Sequence, residues 1–454
     1  MSSVPSLGSR AAFTQGPIMR HVIVMATTGS IGLMAIFFVD LLSLLYVSWL
    51  GDHALTAAVG YATQVSFFLI SISIGFSIAV GALVAQAIGA GDKARAGRLA
   101  ASSLVHVAVA SVVLTLAMLP FRRDLLHLLG ARDHVLDVSS TFLLISLPSL
   151  PLMSVGMAFA ALLRARGDAR RAMYMPLGGG LATAVLDPIF IFALGLGVNG
   201  AAIVTVLSRL CFLAVGAWGC MRVHRMVSRP QRQALLPDLK IMMRIAIPAI
   251  LTTLAAPVST SYALSVFATF GQDVVAAYTI VDRIIGVSFG PLFALSGAVG
   301  PVIGQNYGAR LFPRIRRTLI DCFTLSSGYS LAVWLILALA APLIVKLFDA
   351  SAMTAELIMF YCRFGAIAWV FLGCMFVANA AFNNLGYPVL SMVFNWGRST
   401  LGTIPFVTIG AKLWGPEGAM MGMAAGAALF SLIAIFIALL LWGVAFWSMR
   451  ALAL

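Results

Sequence analysis

Long apolar runs separated by short polar connections dominate this chain. Each run extends over roughly 18–28 residues, enough for a helix to cross a hydrocarbon core of about 30 Å. Inside such a core every backbone polar group must be satisfied within the segment, so the runs predict helices. We predict twelve spans, at 20–48, 54–88, 97–119, 136–163, 172–195, 199–222, 241–269, 274–307, 318–345, 355–382, 389–412 and 418–448.

Basic residues mark one side of these spans. Most of the arginines and lysines lie in the connections that follow spans two, four, six and eight, for example at Lys93–Arg98 and Arg310–Arg317. The positive-inside rule therefore predicts a cell inner (cytoplasmic) membrane protein with both termini in the cytoplasm. Residues 1–19 are polar and contain two prolines, which predicts a disordered arm before the first span.

The two halves of the chain resemble each other. Similar segments recur at offsets of 220, 219 and 218 positions: Trp49–Ala58 with Thr269–Tyr278, Ala85–Ala90 with Gly304–Ala309, and Gly200-Ala201 with Gly418-Ala419. We therefore predict an all-α polytopic fold with an N-lobe at 20–222, a cytoplasmic linker at 223–240 and a C-lobe at 241–450. Six spans per half leave both lobes the same way up, related by a pseudo-two-fold axis along the membrane normal. Two lobes around a central cavity are typical of alternating-access transporters.

Composition excludes several other classes of protein. Hydrophobic residues make up 61% of the chain and charged residues 10%, whereas soluble domains carry about 25% charged residues. The net charge of +14 follows the topology pattern and does not indicate a nucleic-acid partner. The five cysteines and six histidines have no metal-ligand spacing, and no P-loop is present. We predict neither an enzyme nor a metal site.

Two acidic residues lie inside predicted spans of the first half. Asp40 is in the middle of span one, and Asp187 in span five directly precedes Pro188. A charged group at the centre of a membrane helix costs roughly 2.5–3.5 kcal/mol, so its presence indicates a function. The alternatives are structural: a pair between Asp40 and an arginine, or an Asp-Pro bend satisfied by the backbone. We interpret both acids as transport residues.

Hydroxyl groups accompany these acids. Thr183 lies one turn before Asp187 on the same helix face, and Thr205 lies at comparable depth in span six. Burial and mutual repulsion disfavour two ionised carboxylates in one apolar lobe, so at least one is expected to hold a proton near neutral pH. Such a site suits a proton-driven antiporter, although carboxylates and hydroxyls together could also coordinate Na⁺.

The second half has no matching pair of acids. Asp282 and Arg283 are adjacent and face different directions, while Arg398 lies in span eleven. We interpret Arg283 and Arg398 as structural contacts, and Arg209 in span six as a candidate partner for the N-lobe carboxylates. Four side chains are candidates for an adaptable apolar cavity lining: Met34, Phe37, Met153 and Met157.

Several short motifs occur in order along the chain. They are Asp40, Trp49-Leu-Gly51, Gln86–Gly91, Leu163–Asp168, Leu186–Ile191, Gly195–Ala202, Ala276–Arg283 and Gly304–Ala309. With these motifs the chain resembles the multidrug and toxic compound extrusion (MATE) family, and most closely its DinF-like bacterial branch. The resemblance covers roughly residues 20–445 and implies a two-lobed antiporter that exports organic, often cationic, compounds against inward H⁺ or Na⁺.

The resemblance also implies roles for individual residues. The family's cation-coupling acids match Asp40 and Asp187, and its span-six threonine matches Thr205. Family members often carry Asn one turn before the span-five acid, where this chain has Thr183; the missing amide favours H⁺ over Na⁺. We therefore predict proton-coupled multidrug efflux by a monomer in contact with membrane lipid, with no cofactor.

A different exporter is the main alternative. A flippase for lipid-linked precursors, or an exporter of anionic substrates, would hold pyrophosphate or a similar group with Arg209, Arg283 and Arg398 facing the cavity. An intramembrane enzyme would need a catalytic group beside a stabilising partner, and neither histidine nor cysteine is placed for that role.

Overall fold

Helices account for all regular secondary structure in the part of the chain that is described. The computed structural model describes residues 11–51, 53–348 and 350–450, and no strand occurs among them. Eleven stretches of these residues are long and apolar enough to cross a membrane, which supports the predicted all-α polytopic class. The helices of the first half are α1 (Ile18–Ser48), α2 (His53–Gly89), α3 (Lys93–Leu128), α4 (Asp133–Ser146), α5 (Leu150–Arg166), α6 (Ala169–Pro188) and α7 (Gly197–Ala217). Those of the second half are α8 (Arg232–Ala268), α9 (Gln272–Gly308), α10 (Phe312–Leu347), α11 (Ala352–Phe360), α12 (Trp369–Leu385), α13 (Pro388–Ser399) and α14 (Ile404–Arg450).

Glycine and aspartate set the short turns between helices. Gly167 ends α5 with a φ of 96°, a backbone conformation that L side chains rarely adopt. Asp168 then caps α6 by accepting a hydrogen bond from the backbone N–H of Arg171 at 3.1 Å. Gly91 and Asp92 repeat this arrangement between α2 and α3. Two residues separate α5 from α6, and three separate α2 from α3.

The helix bounds of the two halves repeat at a constant spacing. Helices of the same length as α2, α3 and α5 begin 219 positions later, namely α9, α10 and α12. A 3₁₀ turn precedes both α5 (Leu147–Ser149) and α12 (Ala366–Ala368) at the same spacing. Within each half the same pair of helices packs together, α2 with α5 and α9 with α12. The repeat seen in the sequence therefore extends to the helices and their packing.

Two interruptions divide the last apolar stretch. Residues 400–403 separate α13 from α14, and inside α14 the backbone leaves the helical range at Trp414 and Gly415. The second interruption falls between the predicted spans 389–412 and 418–448. One continuous apolar stretch therefore contains both of these predicted spans, which is why eleven stretches are found where twelve spans were predicted.

Glycines bring the segments before and after this kink into backbone contact. A Cβ atom added at Gly426 would lie 1.6 Å from the carbonyl oxygen of Gly402, and one at Gly422 would lie 2.1 Å from that of Phe406. Gly402 lies against Gly426, and Phe406 lies against Gly422. Residue numbers therefore rise along one segment as they fall along the other, so the two segments run antiparallel. No residue larger than glycine fits at these positions without separating the segments.

The chain forms two compact units whose boundaries fall inside helices. The first unit contains Ile31–Ile250, and the second contains Phe13–Ser30 together with the residues from Leu251 onwards. Both α1 and α8 are thus divided between the units, at equivalent positions of the repeat. The division into lobes at 20–222 and 241–450 remains a prediction.

The arm predicted to be disordered is ordered where it is described. Residues 11–17 form turns, and α1 begins at Ile18. Phe13 is only 2% exposed, and its backbone N–H donates to Gln305 Oε1 at 2.8 Å. Residues 1–10 lie outside the described residues. The prediction failed for residues 11–19 because polar composition does not reveal a docking site that lies far away in the sequence.

The segment predicted as a linker at 223–240 is also anchored. α8 begins at Arg232, inside the predicted linker. Asp238 is 2% exposed and accepts a hydrogen bond from Ser102 Oγ at 2.8 Å. Its carboxylate lies 3.4 Å from the Arg98 guanidinium. The start of α8 is therefore held against α3 in the first unit.

A second polar cluster forms where α6 begins. The Asp168 carboxylate lies 2.6 Å from His224 Nε2 and accepts a hydrogen bond from Arg171 Nη1 at 2.5 Å. Burial opposes ionisation of this carboxyl group, but the hydrogen bonds from His224 and Arg171 outweigh burial and hold the pKa of Asp168 below its ordinary value. The cluster ties the segment after α7 to the start of α6.

We expect Asp168→Asn to lower stability at neutral pH by about 1–3 kcal/mol, because charge-assisted hydrogen bonds are lost. Asn caps helices as well as Asp does, so the change isolates the charge. The folded-state pKa of Asp168 is lower than its pKa in the unfolded chain, which is near 3.8. Its charge therefore stabilises the folded protein at pH values above the unfolded pKa. This stabilisation is lost as the pH falls through the folded-state pKa. Thermal unfolding of both proteins in detergent should thus show a difference at neutral pH that shrinks in acid.

The control for this experiment is Asp137→Asn, which removes an exposed pair with Arg123. Exposed pairs contribute little, so its unfolding temperature should stay near that of the wild type at every pH. Equal effects of the two substitutions would contradict the role assigned to the Asp168 cluster.

Candidate functional site

α1 and α6 lie side by side in the first unit. A Cβ atom added at Gly32 would lie 2.8 Å from Pro176 Cγ, and one at Gly180 would lie 2.9 Å from Val39 Cγ2. Residue numbers rise together along both helices, so the two helices run in the same direction. The absence of side chains at these glycines allows the close approach.

Asp187 is enclosed in this region. It is 1% exposed, and neither carboxylate oxygen has a hydrogen-bond partner. The Ser43 hydroxyl of α1 lies near this carboxyl group. Among the described residues no basic side chain lies within 4.0 Å of it. A carboxylate enclosed in this way is costly unless it is protonated or paired with a ligand.

Asp40 lies on the same helix as Ser43, three residues earlier, which corresponds to about 4.5 Å along the helix axis. Its side chain is exposed at the surface of the described protein. It forms no ion pair with the described basic residues. Because Val39 lies level with Gly180, Asp40 lies about six residues, or roughly 9 Å along the helix axis, before the level of Asp187. The two acids therefore share one region, one accessible and one enclosed.

The two threonines lie at one level of this region. The contacts of Gly200 with Phe190 and of Gly179 with Ser208 set α7 antiparallel to α6, so that Thr205 lies opposite Thr183. Each hydroxyl group donates to a carbonyl of its own helix: Thr183 Oγ1 to Gly179 O at 3.2 Å and Thr205 Oγ1 to Ala201 O at 3.0 Å. Among the described residues, no hydrogen bond joins either threonine hydroxyl to Asp40 or Asp187.

Arg209 is engaged elsewhere. Its Nη1 atom donates to Ser146 O at 3.1 Å and to Ser149 Oγ at 2.9 Å, at the junction between α4 and α5. The suggested pairing with Asp40 or Asp187 does not occur in this structure. The Ser146 carbonyl also accepts a hydrogen bond from Ser149 Oγ at 2.7 Å, so Arg209 joins a local network at the break between α4 and α5.

The charged residues of the second half lie in the second unit. Asp282 and Arg283 are exposed, and within the described residues neither forms an ion pair closer than 4.0 Å. Arg398 is half-buried in the last turn of α13, where its carbonyl accepts a hydrogen bond from Thr403 Oγ1 at 3.0 Å. Their proposed structural roles stay predictions.

The candidate apolar lining separates into two groups. Met153 and Met157 on α5 pack against the buried core of the first unit. Met34 is half-buried, and Phe37 is 40% exposed on α1, one turn before Asp40. Phe37 is therefore the candidate placed to contact a molecule that approaches Asp40.

Ser43 is a site residue that the sequence analysis missed. Serine is common in membrane helices, where it usually bonds to its own backbone, so its type gave no signal. The spacing Asp40-x-x-Ser43, which places both side chains on one helix face, could have indicated it.

The comparison with protein families is decisive. The MatE family profile matches residues 30–189 and, a second time, residues 248–409. This chain belongs to the MatE family. MATE proteins are membrane transporters rather than enzymes, so the predicted family and the predicted multi-pass membrane class are confirmed. The paired match also reproduces the internal repeat.

Named relatives cover much of this MATE transporter. The FAD transporter of Shewanella oneidensis is 27% identical over 91% of this chain and 93% of its own length. The probable multidrug resistance protein YoeA of Bacillus subtilis is 26% identical over 70% of this chain and 68% of its own length. Similar sequences in the family thus carry the names of different substrates.

Solved MATE structures share the fold. A crystal structure of a MATE mutant has a TM-score of 0.89 at 25% identity and covers 97% of this chain and 99% of its own. A MOP superfamily transporter from Pyrococcus furiosus, whose binding pocket is described as reversed in polarity, has the same TM-score at 23% identity, with 97% and 99% coverage. The helical arrangement of this transporter is therefore that of MATE proteins.

Proposed function

We propose that this MATE transporter is a proton-coupled antiporter that exports organic, often cationic, compounds by alternating access. The observation that carries the proposal is the enclosed carboxyl group of Asp187, which has no hydrogen-bond partner; Asp40, on the neighbouring helix α1, is exposed. Asp40 can bind a cationic substrate, and Asp187 can take up and release a proton. If protonation of the site and binding of the substrate exclude each other, inward movement of H⁺ drives export of the substrate.

The chemistry of the site favours H⁺ over Na⁺. Sodium requires several oxygen ligands, and neither threonine hydroxyl is hydrogen-bonded to Asp40 or Asp187 in the described residues. Thr183 replaces the amide that the family often has at this position. A proton needs a single carboxylate oxygen, which Asp187 supplies without breaking another contact. We therefore assign H⁺ as the coupling ion, with no further cofactor.

The proposed architecture has twelve membrane crossings in two lobes. The constant spacing of 219 positions between helix bounds supports a pseudo-two-fold relation along the membrane normal. The antiparallel segments around Gly415 support counting the last apolar stretch as two crossings. The distribution of basic residues supports cytoplasmic termini in a cell inner membrane, and we propose a monomer as the functional state.

A second candidate is export of an anionic compound. It is favoured by the 27% identity to a protein named as an FAD transporter, over 91% of the chain. Arg283 is exposed and has no ion pair among the described basic and acidic groups, so it could hold an anion. This alternative predicts transport of flavin nucleotides and dependence on Arg283.

Proteoliposomes with separate H⁺ and Na⁺ gradients test the proposal. We expect a cationic dye to move under the H⁺ gradient and not under the Na⁺ gradient. Transport driven by Na⁺ alone would contradict the assigned ion. Transport of FAD and not of the dye, lost on Arg283→Ala, would replace the proposed substrate class by the second candidate.

A further inference from the structure

The N-terminal arm occupies a built binding site at the end of α9. The backbone N–H of Phe13 donates to Gln305 Oε1 at 2.8 Å, and its carbonyl accepts from Asn306 Nδ2 at 3.2 Å and from Arg314 Nη2 at 3.1 Å. Arg314 Nη2 also donates to Gly16 O at 3.0 Å. Gln305 and Asn306 are fully buried, so these contacts form away from water.

The side chains of the arm complete this site. The Phe13 ring is 2% exposed and meets the His21 ring edge-on, with 5.4 Å between the ring centroids. His21 Nε2 lies 2.9 Å from the carbonyl oxygen of Gln15. The next residues, Gln15 and Gly16, are exposed. The buried Phe13 ring and these hydrogen bonds hold a segment in which Gln15, Gly16 and Pro17 are exposed.

The arm lies close to the point at which α1 passes from one unit to the other. It leads directly into α1, whose first part, up to Ser30, belongs to the second unit, while the part from Ile31 belongs to the first. Gly29 and Gly32 lie on either side of this change, where they weaken the helix. Any displacement between the units during transport must bend α1 at this point or release the arm.

We propose that residues 11–17 form a latch that binds the Gln305–Asn306–Arg314 site in the conformation described here and leaves it during each transport cycle. The proposal rests on the proposed function, since a latch has a role only in a transporter that changes conformation. It assigns Phe13 and Arg314 as latch residues. Both belong to the second unit, whereas Asp40 and Asp187, which stay responsible for coupling, belong to the first.

A reversible cross-link tests whether the latch must open. Gln15→Cys and Arg310→Cys, at two exposed positions outside the assigned latch residues, would be joined by a short bismaleimide that contains a cleavable disulfide, in a protein whose five native cysteines are replaced by alanine. We expect the linked protein to lose transport by at least about tenfold and to regain it when the linker is reduced. Full transport while linked would overturn the latch.

Proteolysis provides a readout that does not need transport. Arg20 is exposed in the first turn of α1 and offers trypsin a site that opens when the arm is released. Phe13→Ala and Arg314→Ala should raise the rate of cleavage after Arg20 by about tenfold in detergent micelles. The matched control is Arg95→Ala, at the equivalent position of the first half, which should leave the rate unchanged.

These experiments distinguish an incorrect latch proposal from an incorrect proposed function. If the function is wrong, the unlinked double-cysteine protein carries no dye under a proton gradient, whereas the protease rates still respond to Phe13→Ala. If the latch is wrong, the unlinked protein transports normally and the linked protein does as well. Equal cleavage of wild type, Phe13→Ala and Arg314→Ala would also overturn the latch.

Discussion

Asp187→Asn is expected to abolish proton-driven efflux while the protein still folds. Asn has the shape of a protonated aspartate and carries no charge, and Asp187 has no hydrogen-bond partner to lose. Removing an enclosed acid should therefore leave the unfolding temperature unchanged or raise it. Because the site loses its exchangeable proton, dye efflux from proteoliposomes under a pH gradient should fall by at least about tenfold.

Asp40→Asn should reduce efflux to a similar extent, since the accessible acid is proposed to meet the cationic substrate. Ser43→Ala should have a smaller effect and should shift the pH profile of transport, because the serine hydroxyl approaches Asp187. Asp137→Asn is the control, as this exposed residue lies outside the site. If the Asp40→Asn and Asp187→Asn variants both keep wild-type efflux, the coupling proposal is wrong.

Gly426→Ala is expected to prevent correct folding of the last helical segments. The added Cβ would lie 1.6 Å from the carbonyl oxygen of Gly402, so the backbones must separate. Overpacking of side chains alone costs roughly 1–3 kcal/mol, and a clash with backbone should cost at least about as much. The unfolding temperature and the yield of monodisperse protein in detergent measure this effect.

Gly328→Ala is the matched control for this substitution. Gly328 also lies inside a helix, α10, but a Cβ atom there would meet nothing within 4 Å. Alanine favours helix over glycine by about 1 kcal/mol, so this variant should be as stable as wild type or slightly more stable. Equal destabilisation by both substitutions would show that the backbone contact at Gly426 is unimportant.

The sequence could predict those candidate site residues whose polar side chains are unusual in an apolar span. Asp40 and Asp187 stand out because their neighbours are apolar, and Thr183 follows from helical spacing. Ser43 did not stand out, since a serine is inconspicuous in such a helix. The partner of Arg209 was also unpredictable, because it is a carbonyl group at a break in another helix rather than a charged side chain. Sequence pattern identifies unusual residue types, whereas partners depend on which helices become neighbours.

The arm and the linker illustrate the same limit. Their polar composition predicted a disordered arm and a linker, but residues 11–17 form ordered turns, α1 begins at Ile18, and α8 begins at Arg232 inside the predicted linker. Phe13 is buried because Gln305, Asn306 and Arg314, almost three hundred positions away, form its site. Contacts of such long range leave no local pattern in the arm itself.

By itself, the sequence determined that this is a helical membrane protein with an internal repeat and two acids at membrane depth. These properties follow from hydropathy, which acts residue by residue through the cost of placing polar groups in hydrocarbon. Only the tertiary structure decided that α1 and α8 are divided between the two units, that Asp187 is enclosed beside Ser43, and that glycines join the last segments at backbone distance. Those features arise from the packing of helices distant in the chain, where shape and not hydropathy selects the neighbour.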